Sequence, residues 1–246
     1  MQKICFRNNK MKEKIVSAIM LGVLVMSTVG CGRMIGYEEM AEKLLHEKYN
    51  DEFVVETIQS ASLLRNSYTA VAYQKDQPET PFKVYVENDG SGMSDNYVTR
   101  LVCNQLSDAV ARNLDSLNGI YYTYSRTMIN SYELDDPNIS LSEYINTHQE
   151  MLYDIFVFYN PDSLDSENVY QGLTNICQGI PISGDLYVYI VDDRIMRDVQ
   201  EYLENNDEIY DEGESLLEPY FCGHIGFTNG VLDSSKEEIL EMIEDR

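Results

Sequence analysis

Cys222 and His224 are the residues whose types come nearest to nucleophilic chemistry, a thiol and an imidazole two positions apart. Both fall in a run from Tyr220 to Phe227 that reads as a strand, so their spacing predicts one shared face. Same-face neighbours on a strand have backbone positions roughly 6.5 to 7 Å apart. A nucleophile and its base need about 3 Å between donor and acceptor, so a bent strand or a shared metal would be required, and a structural pair is the expectation. His148 lies on the apolar face of Leu141, Tyr144, Ile145 and Leu152, where a hydrogen-bonded core histidine is expected. His46 precedes Glu47, but Asn50 stands where a metalloprotease helix needs its second histidine, so the zinc-helix motif is absent.

Glu87, Asp89 and Ser91, followed by Gly92, place oxygen ligands at alternate positions, as the opening of a calcium loop does. Position twelve of that frame is Val98, which offers no bidentate carboxylate, and an ordinary glycine-rich turn is expected. The acidic stretch Asp207 to Glu218 reads as a solvated loop with non-specific attraction for cations. Neither a phosphate-cradling glycine loop before a helix nor a G-x-S-x-G nucleophile elbow occurs. Carboxylate pairs are too abundant for any spacing to single one out. The residues call for no cofactor, no metal and no catalytic set.

Charge divides the chain. Residues 1–30 carry Lys3, Arg7, Lys10, Lys12 and Lys14 against Glu13, a net +4, so the formal -24 of the whole chain leaves -28 on the remainder. A field of that sign repels phosphate backbones and anionic headgroups, which disfavours nucleic-acid partners and electrostatic adhesion to a membrane. Behind the basic first 14 residues, Ile15 to Val29 is apolar or small throughout and uncharged. That run is short of the roughly 20 residues a spanning helix needs, and it stops at Gly30-Cys31-Gly32-Arg33, the pattern of an export leader.

Thr28-Val29-Gly30-Cys31 resembles the lipobox of bacterial lipoproteins, with Thr28 where an aliphatic residue is more usual. The resemblance covers the leader only. It implies cleavage between Gly30 and Cys31 and a diacylglyceryl group on the Cys31 thiol, which would hold the mature protein on the cell membrane, outside the cytoplasm. Two acyl chains meet the two-signal requirement for stable anchoring. A tether of residues 31–36 would reach roughly 20 Å at full extension. Of the five cysteines, Cys5 is in the leader; Cys103, Cys177 and Cys222 remain in the body of the chain, too few for a disulfide-stapled domain.

These features sit among elements that periodicity predicts. Tyr37, Met40, Ala41, Leu44 and Leu45 mark a helix ending near Asn50, and strands follow at Phe53 to Ile58, Tyr68 to Tyr73 and Phe82 to Val86. Ser94 or Asp95 caps a helix with Val98, Leu101, Val102, Ala109 and Val110 on its apolar face. After a tyrosine-rich strand from Ile120 to Tyr124, Ser140 and Glu143 open a helix to about Leu152. Strand Ile155 to Tyr159, helix Leu164 to Cys177, strand Leu186 to Val191 and helix Ile195 to Leu203 then alternate, as in β-α-β crossovers. A strand and a final helix, opened by Ser234 or Ser235, close the chain. The expected fold class is α+β: a three-stranded antiparallel meander flanked by helices in a lobe of residues 37–118, then alternating strands and helices in residues 119–246, the two lobes separate or forming one composite domain.

With no catalytic motif, the expected function is that of a lipid-anchored binding or interaction module. Its membrane contact would be through the diacylglyceryl group and its protein partner is open. Tyr121, Tyr122 and Tyr124 offer a contact surface, or simply core packing. An exported hydrolase with a site assembled from scattered residues and a small solute-binding lipoprotein are the alternatives.

Overall fold

The computed structural model describes residues 36–62, 66–114, 121–128, 134–160, 165–205 and 217–245. The leader, Gly30, Cys31 and most of the acidic stretch lie outside them. The class is α+β, with two sheets. Helix α1 (36–49) turns Ala41 and Leu45 inward and stops where Asn50 adopts φ +54°. Asparagine tolerates that left-handed conformation, and its N–H closes on the His46 carbonyl at 2.8 Å.

The meander is β1 (Phe53–Ser62), β2 (Ser67–Gln74) and β3 (Gln77–Glu87), antiparallel throughout, with a short fourth strand β4 (Met93–Asp95) on β3. Tyr68, Ala70 and Ala72 alternate with their neighbours, as do Phe82, Val84 and Val86, and these two sets meet α1 in one core. β3 begins five residues before Phe82, the expected start. Between Ala72↔Phe82 and Gln74↔Gln77 the register breaks, so residues 78–81 bow out of the paired ladder. Pro78 and Pro81 bracket that bow, and a residue without an N–H cannot serve a ladder.

Helix α2 (Tyr97–Leu114) serves two cores. Tyr97 and Val98 complete the meander's core, whereas Val102, Leu106, Val110 and Leu114, four residues apart, face the second sheet. The Asp95 carboxylate accepts from the Tyr97 N–H at 3.0 Å at the helix start.

The second sheet has the order β5 (Tyr121–Thr127), β6 (Leu152–Tyr159), β7 (Ser183–Ile190), β8 (Phe221–Thr228), β9 (Val231–Leu232). Only β6 and β7 run parallel, joined through α4 (Ser166–Gly179). β7, α5 (Asp193–Asn205) and β8 make an antiparallel return instead of a second crossover. Helix α3 (Leu141–Thr147), capped by Ser140, ends one turn earlier than expected because His148 closes it and Leu152 already belongs to β6. Helix α6 (Lys236–Glu244) starts with the Ser235–Glu238 capping box.

Helices α2, α4 and α6 cover one face of this sheet, through Ile155, Val157, Leu186, Val188, Ile225 and Phe227. Helix α5 covers part of the other, which is almost wholly aromatic. Strand β6 is therefore buried on both sides, and from Ile155 to Tyr159 it reads as a continuous apolar run. Among the described residues no helix is long and apolar enough to cross a membrane.

Candidate functional site

Among the described residues the histidines and cysteines do not converge. Strand β8 carries a bulge where Val188 pairs with Gly223 and Tyr189 with Phe221, leaving Cys222 as the extra residue. A bulge interrupts the alternation that puts i and i+2 on one face. Cys222 accordingly packs against the helix-covered core, while His224 stacks over Tyr187 on the opposite side, 6.1 Å between ring centres. The shared face expected from their spacing is lost. His148 stacks on Tyr144 at 4.4 Å and its Nδ1 lies 3.1 Å from the Tyr144 carbonyl, which gives it a structural role. His46 is exposed beside the Asp51 carbonyl.

The Glu87–Gly92 segment is a hairpin turn. Its carboxylates are used internally: Ser91 donates its N–H to Asp89 at 3.0 Å and its hydroxyl to Glu87 at 3.1 Å. The Ser91 hydrogen bonds hold the Asp89 carboxyl below its ordinary range. Among the described residues no group of three or more His, Cys, Asp or Glu is placed to hold a metal ion. Burial pushes the Cys177 thiol up to about 12, leaving it protonated and unreactive at neutral pH.

Polar side chains from several elements gather in a cleft of about 680 Å³ between the two sheets. The bowed start of β3 supplies Gln77, Glu79 and Thr80; α2 supplies Arg100, Asn104 and Asp108; β5 supplies Tyr122 and Tyr124; α5 supplies Gln200. Asn104 Nδ2 donates to the Thr80 hydroxyl at 3.0 Å, tying helix to bow. Gln105 holds the segment before α3 against α2, donating to the Ile139 carbonyl at 3.1 Å and accepting from the Leu141 N–H at 2.8 Å. Side-chain hydrogen bonds thus tie α2 to the β3 bow and to the segment before α3, the kind of arrangement that preorganises a site.

One wall is the end of an aromatic array on the α5 side of the second sheet. Its rings lie in two rows across four strands, set by the register Tyr122↔Phe158↔Tyr189 and Tyr124↔Phe156↔Tyr187. In the first row Phe221, Tyr189, Phe158 and Tyr122 follow at 5.4, 5.0 and 5.8 Å between centres. In the second, His224, Tyr187, Phe156 and Tyr124 follow at 6.1, 4.9 and 5.6 Å. The second row continues into the Arg100 guanidinium, 5.3 Å from the Tyr124 ring centre, whose Nη1 donates to the Tyr124 hydroxyl at 3.3 Å. The first row reaches the cleft at Tyr122, which is half-buried. Behind them Arg126 pairs with buried Asp154 at 2.8 Å and covers Phe156.

Sequence reading picked out Tyr122 and Tyr124 but not Arg100, Asn104, Glu79 or Gln200. One signal points to Glu79: Pro78 and Pro81 mark a strand that cannot stay in register. Arg100 lies on the opposite side of the helix from Val98 and Val102, and only the folded chain shows that it is buried.

No family model matches the chain, and no curated protein does. Among solved structures, a DUF5037 family protein from Ruminococcus gnavus ATCC 29149 is similar at a TM-score of 0.64 and 20% identity, over 85% of this chain and 100% of that one. At that identity the likeness is one of fold.

Proposed function

We propose that this protein is a ligand-binding module working outside the cytoplasm, tethered to the cell membrane by a diacylglyceryl group on Cys31. Support for the address comes from the basic and apolar leader and from the lipobox-like Thr28-Val29-Gly30-Cys31. The strongly acidic remainder gives no electrostatic reason to stay at an anionic surface, so the lipid is the means of retention.

The observation that carries the binding reading is the cleft between the sheets. Its volume of about 680 Å³ lies within the range of roughly 300 to 1,000 Å³ typical of small-molecule sites. Its polar groups come from elements far apart in sequence, α2, α5 and the bow of β3, and converge only in the folded chain. The test is native mass spectrometry of the mature protein purified from its own membranes. A small-molecule adduct is expected, and it should disappear in a Glu79→Ala, Gln200→Ala double variant that keeps the wild-type circular dichroism. An adduct that survives both substitutions, or none at all, would overturn the reading.

A further inference from the structure

The chemistry of the cleft walls narrows the ligand. Anions meet the field of a chain with formal net charge -24, and two carboxylates, Glu79 and Asp108, stand exposed on the walls. The same cleft also holds Arg100, 5% exposed, so its walls carry both signs of charge and favour no single one. An apolar ligand would cover the carboxamides of Gln77, Asn104 and Gln200 without offering them hydrogen bonds, a loss for each group desolvated.

A neutral ligand rich in donors and acceptors meets none of these penalties. Carboxamides present a donor and an acceptor side by side, and carboxylates accept twice; both match adjacent hydroxyl groups. At the same time the half-buried ring of Tyr122 brings the end of an aromatic row to the cleft, a surface suited to a flat, C–H-bearing ring face.

From this juxtaposition we infer that the cleft takes a neutral, hydroxyl-rich ligand, a short oligosaccharide, with one sugar ring laid against Tyr122 and its hydroxyls shared between the polar side chains of α2, α5 and the β3 bow. The inference rests on the binding reading above and specifies its ligand. Exposure outside the cytoplasm is consistent with a saccharide as ligand, and the acidic surface does not oppose a neutral one.

The test is isothermal titration calorimetry of the mature lipidated protein, held in a detergent without a sugar headgroup. The probes are maltotetraose, cellotetraose, chitotetraose and xylotetraose, with citrate and spermidine as charged comparisons. At least one tetraose should bind saturably. Tyr122→Ala should weaken it by about tenfold, the loss of one aromatic stacking contact, while Tyr122→Phe retains it. Gln200→Ala, on the polar wall, should weaken it without touching the aromatic rows. His224→Ala, at the far end of the other row, should leave it unchanged. Binding of citrate or spermidine, but of no tetraose, that is weakened by Gln200→Ala would overturn the saccharide and leave the cleft as a binding site. No binding by any probe would overturn the saccharide, and the adduct experiment above then decides the fate of the cleft separately. Tetraose binding indifferent to both Tyr122→Ala and Gln200→Ala would place the ligand elsewhere and overturn the inference.

Discussion

Replacing Asp95 by alanine should be among the most damaging single changes outside the apolar cores. The side chain is 1% exposed and collects three donors: the Tyr49 hydroxyl at 2.7 Å, the Lys48 ammonium at 3.0 Å and the Tyr97 N–H at 3.0 Å. It therefore joins α1 to the start of α2, and Lys48 reaches on to Asp135 at 2.8 Å. Removing one partner of a buried ion pair costs about 3 to 5 kcal/mol, because the other charge is left desolvated. Lys48 keeps Asp135 and some access to solvent, which places Asp95→Ala near the lower end, about 3 kcal/mol. Urea unfolding followed by circular dichroism measures it. A Lys48→Met, Asp95→Ala double variant should lose less than the sum of the single variants by about 1 kcal/mol or more, the sign of residues sharing one network. A loss below about 1 kcal/mol for Asp95→Ala, with additive single variants, would refute the idea that this network holds α1 to α2.

The same network predicts an alkaline limit. Partial burial pulls the Lys48 ammonium down, but the carboxylates of Asp135 and Asp95 outweigh it and leave it above its ordinary 10.5. Burial, with the Asp95 charge beside it, raises the Tyr49 phenol well above its ordinary 10.0. Both groups bind a proton more tightly folded than unfolded. Their contribution is complete below about pH 10 and is lost as pH climbs towards the folded values, so the wild-type urea midpoint should fall above pH 10 more steeply than that of the Asp95→Ala variant. Parallel decline of the two would contradict this.

Thiol titration of a soluble chain starting at Gly32 should find one reactive cysteine in the native state, the partly exposed Cys222, and two more, Cys103 and Cys177, only on unfolding; equal rates for all three would contradict the buried placement. Tyr153→Phe should stabilise by about 1 kcal/mol in urea unfolding, since it removes a buried hydroxyl without a hydrogen-bond partner among the described residues at nearly constant volume; destabilisation by a similar amount would show that the hydroxyl is satisfied. Ser235→Ala should cost about 1 kcal/mol through the lost N-cap of α6. Hydrogen bonds from the Ser235 N–H and hydroxyl hold Glu238 below its ordinary 4.5, so the carboxylate's share of the box is present above that pH and is lost as pH falls through the lowered folded value, while the Glu238 N–H bond to the Ser235 hydroxyl does not titrate; a penalty for Ser235→Ala that stays constant down to pH 2.5 would contradict it.

Features governed by local chemistry were legible in the sequence. The spacing of Ala41 and Leu45, the alternation of Phe82, Val84 and Val86, and the Ser235–Glu238 box each determine their element from within a few residues. What the sequence hid depends on pairing between distant segments. β4 is three residues long and exists only because Met93 to Asp95 find the edge of β3. The parallel step from β6 to β7 and the antiparallel return to β8 follow equally well-patterned runs, and only the assembled sheet distinguishes them. Cys222 and His224 were assigned one face because a bulge leaves no mark in a run such as Phe221-Cys222-Gly223-His224, although Gly223 is a residue type that accompanies such irregularities. The cleft was the least legible feature. Its side chains are scattered from Gln77 to Gln200, and no spacing rule connects a bowed strand to the helices that face it.

The central claim, a binding module anchored by lipid at the membrane, is tested most directly at Cys31. Intact and N-terminal mass spectrometry of the protein extracted from its native membranes should find a chain beginning at Cys31 with a diacylglyceryl thioether, and Cys31→Ala should abolish that mass and leave an uncleaved or released form. A wild-type chain retained on the membrane with residues 1–30 intact and no lipid on Cys31 would contradict the account.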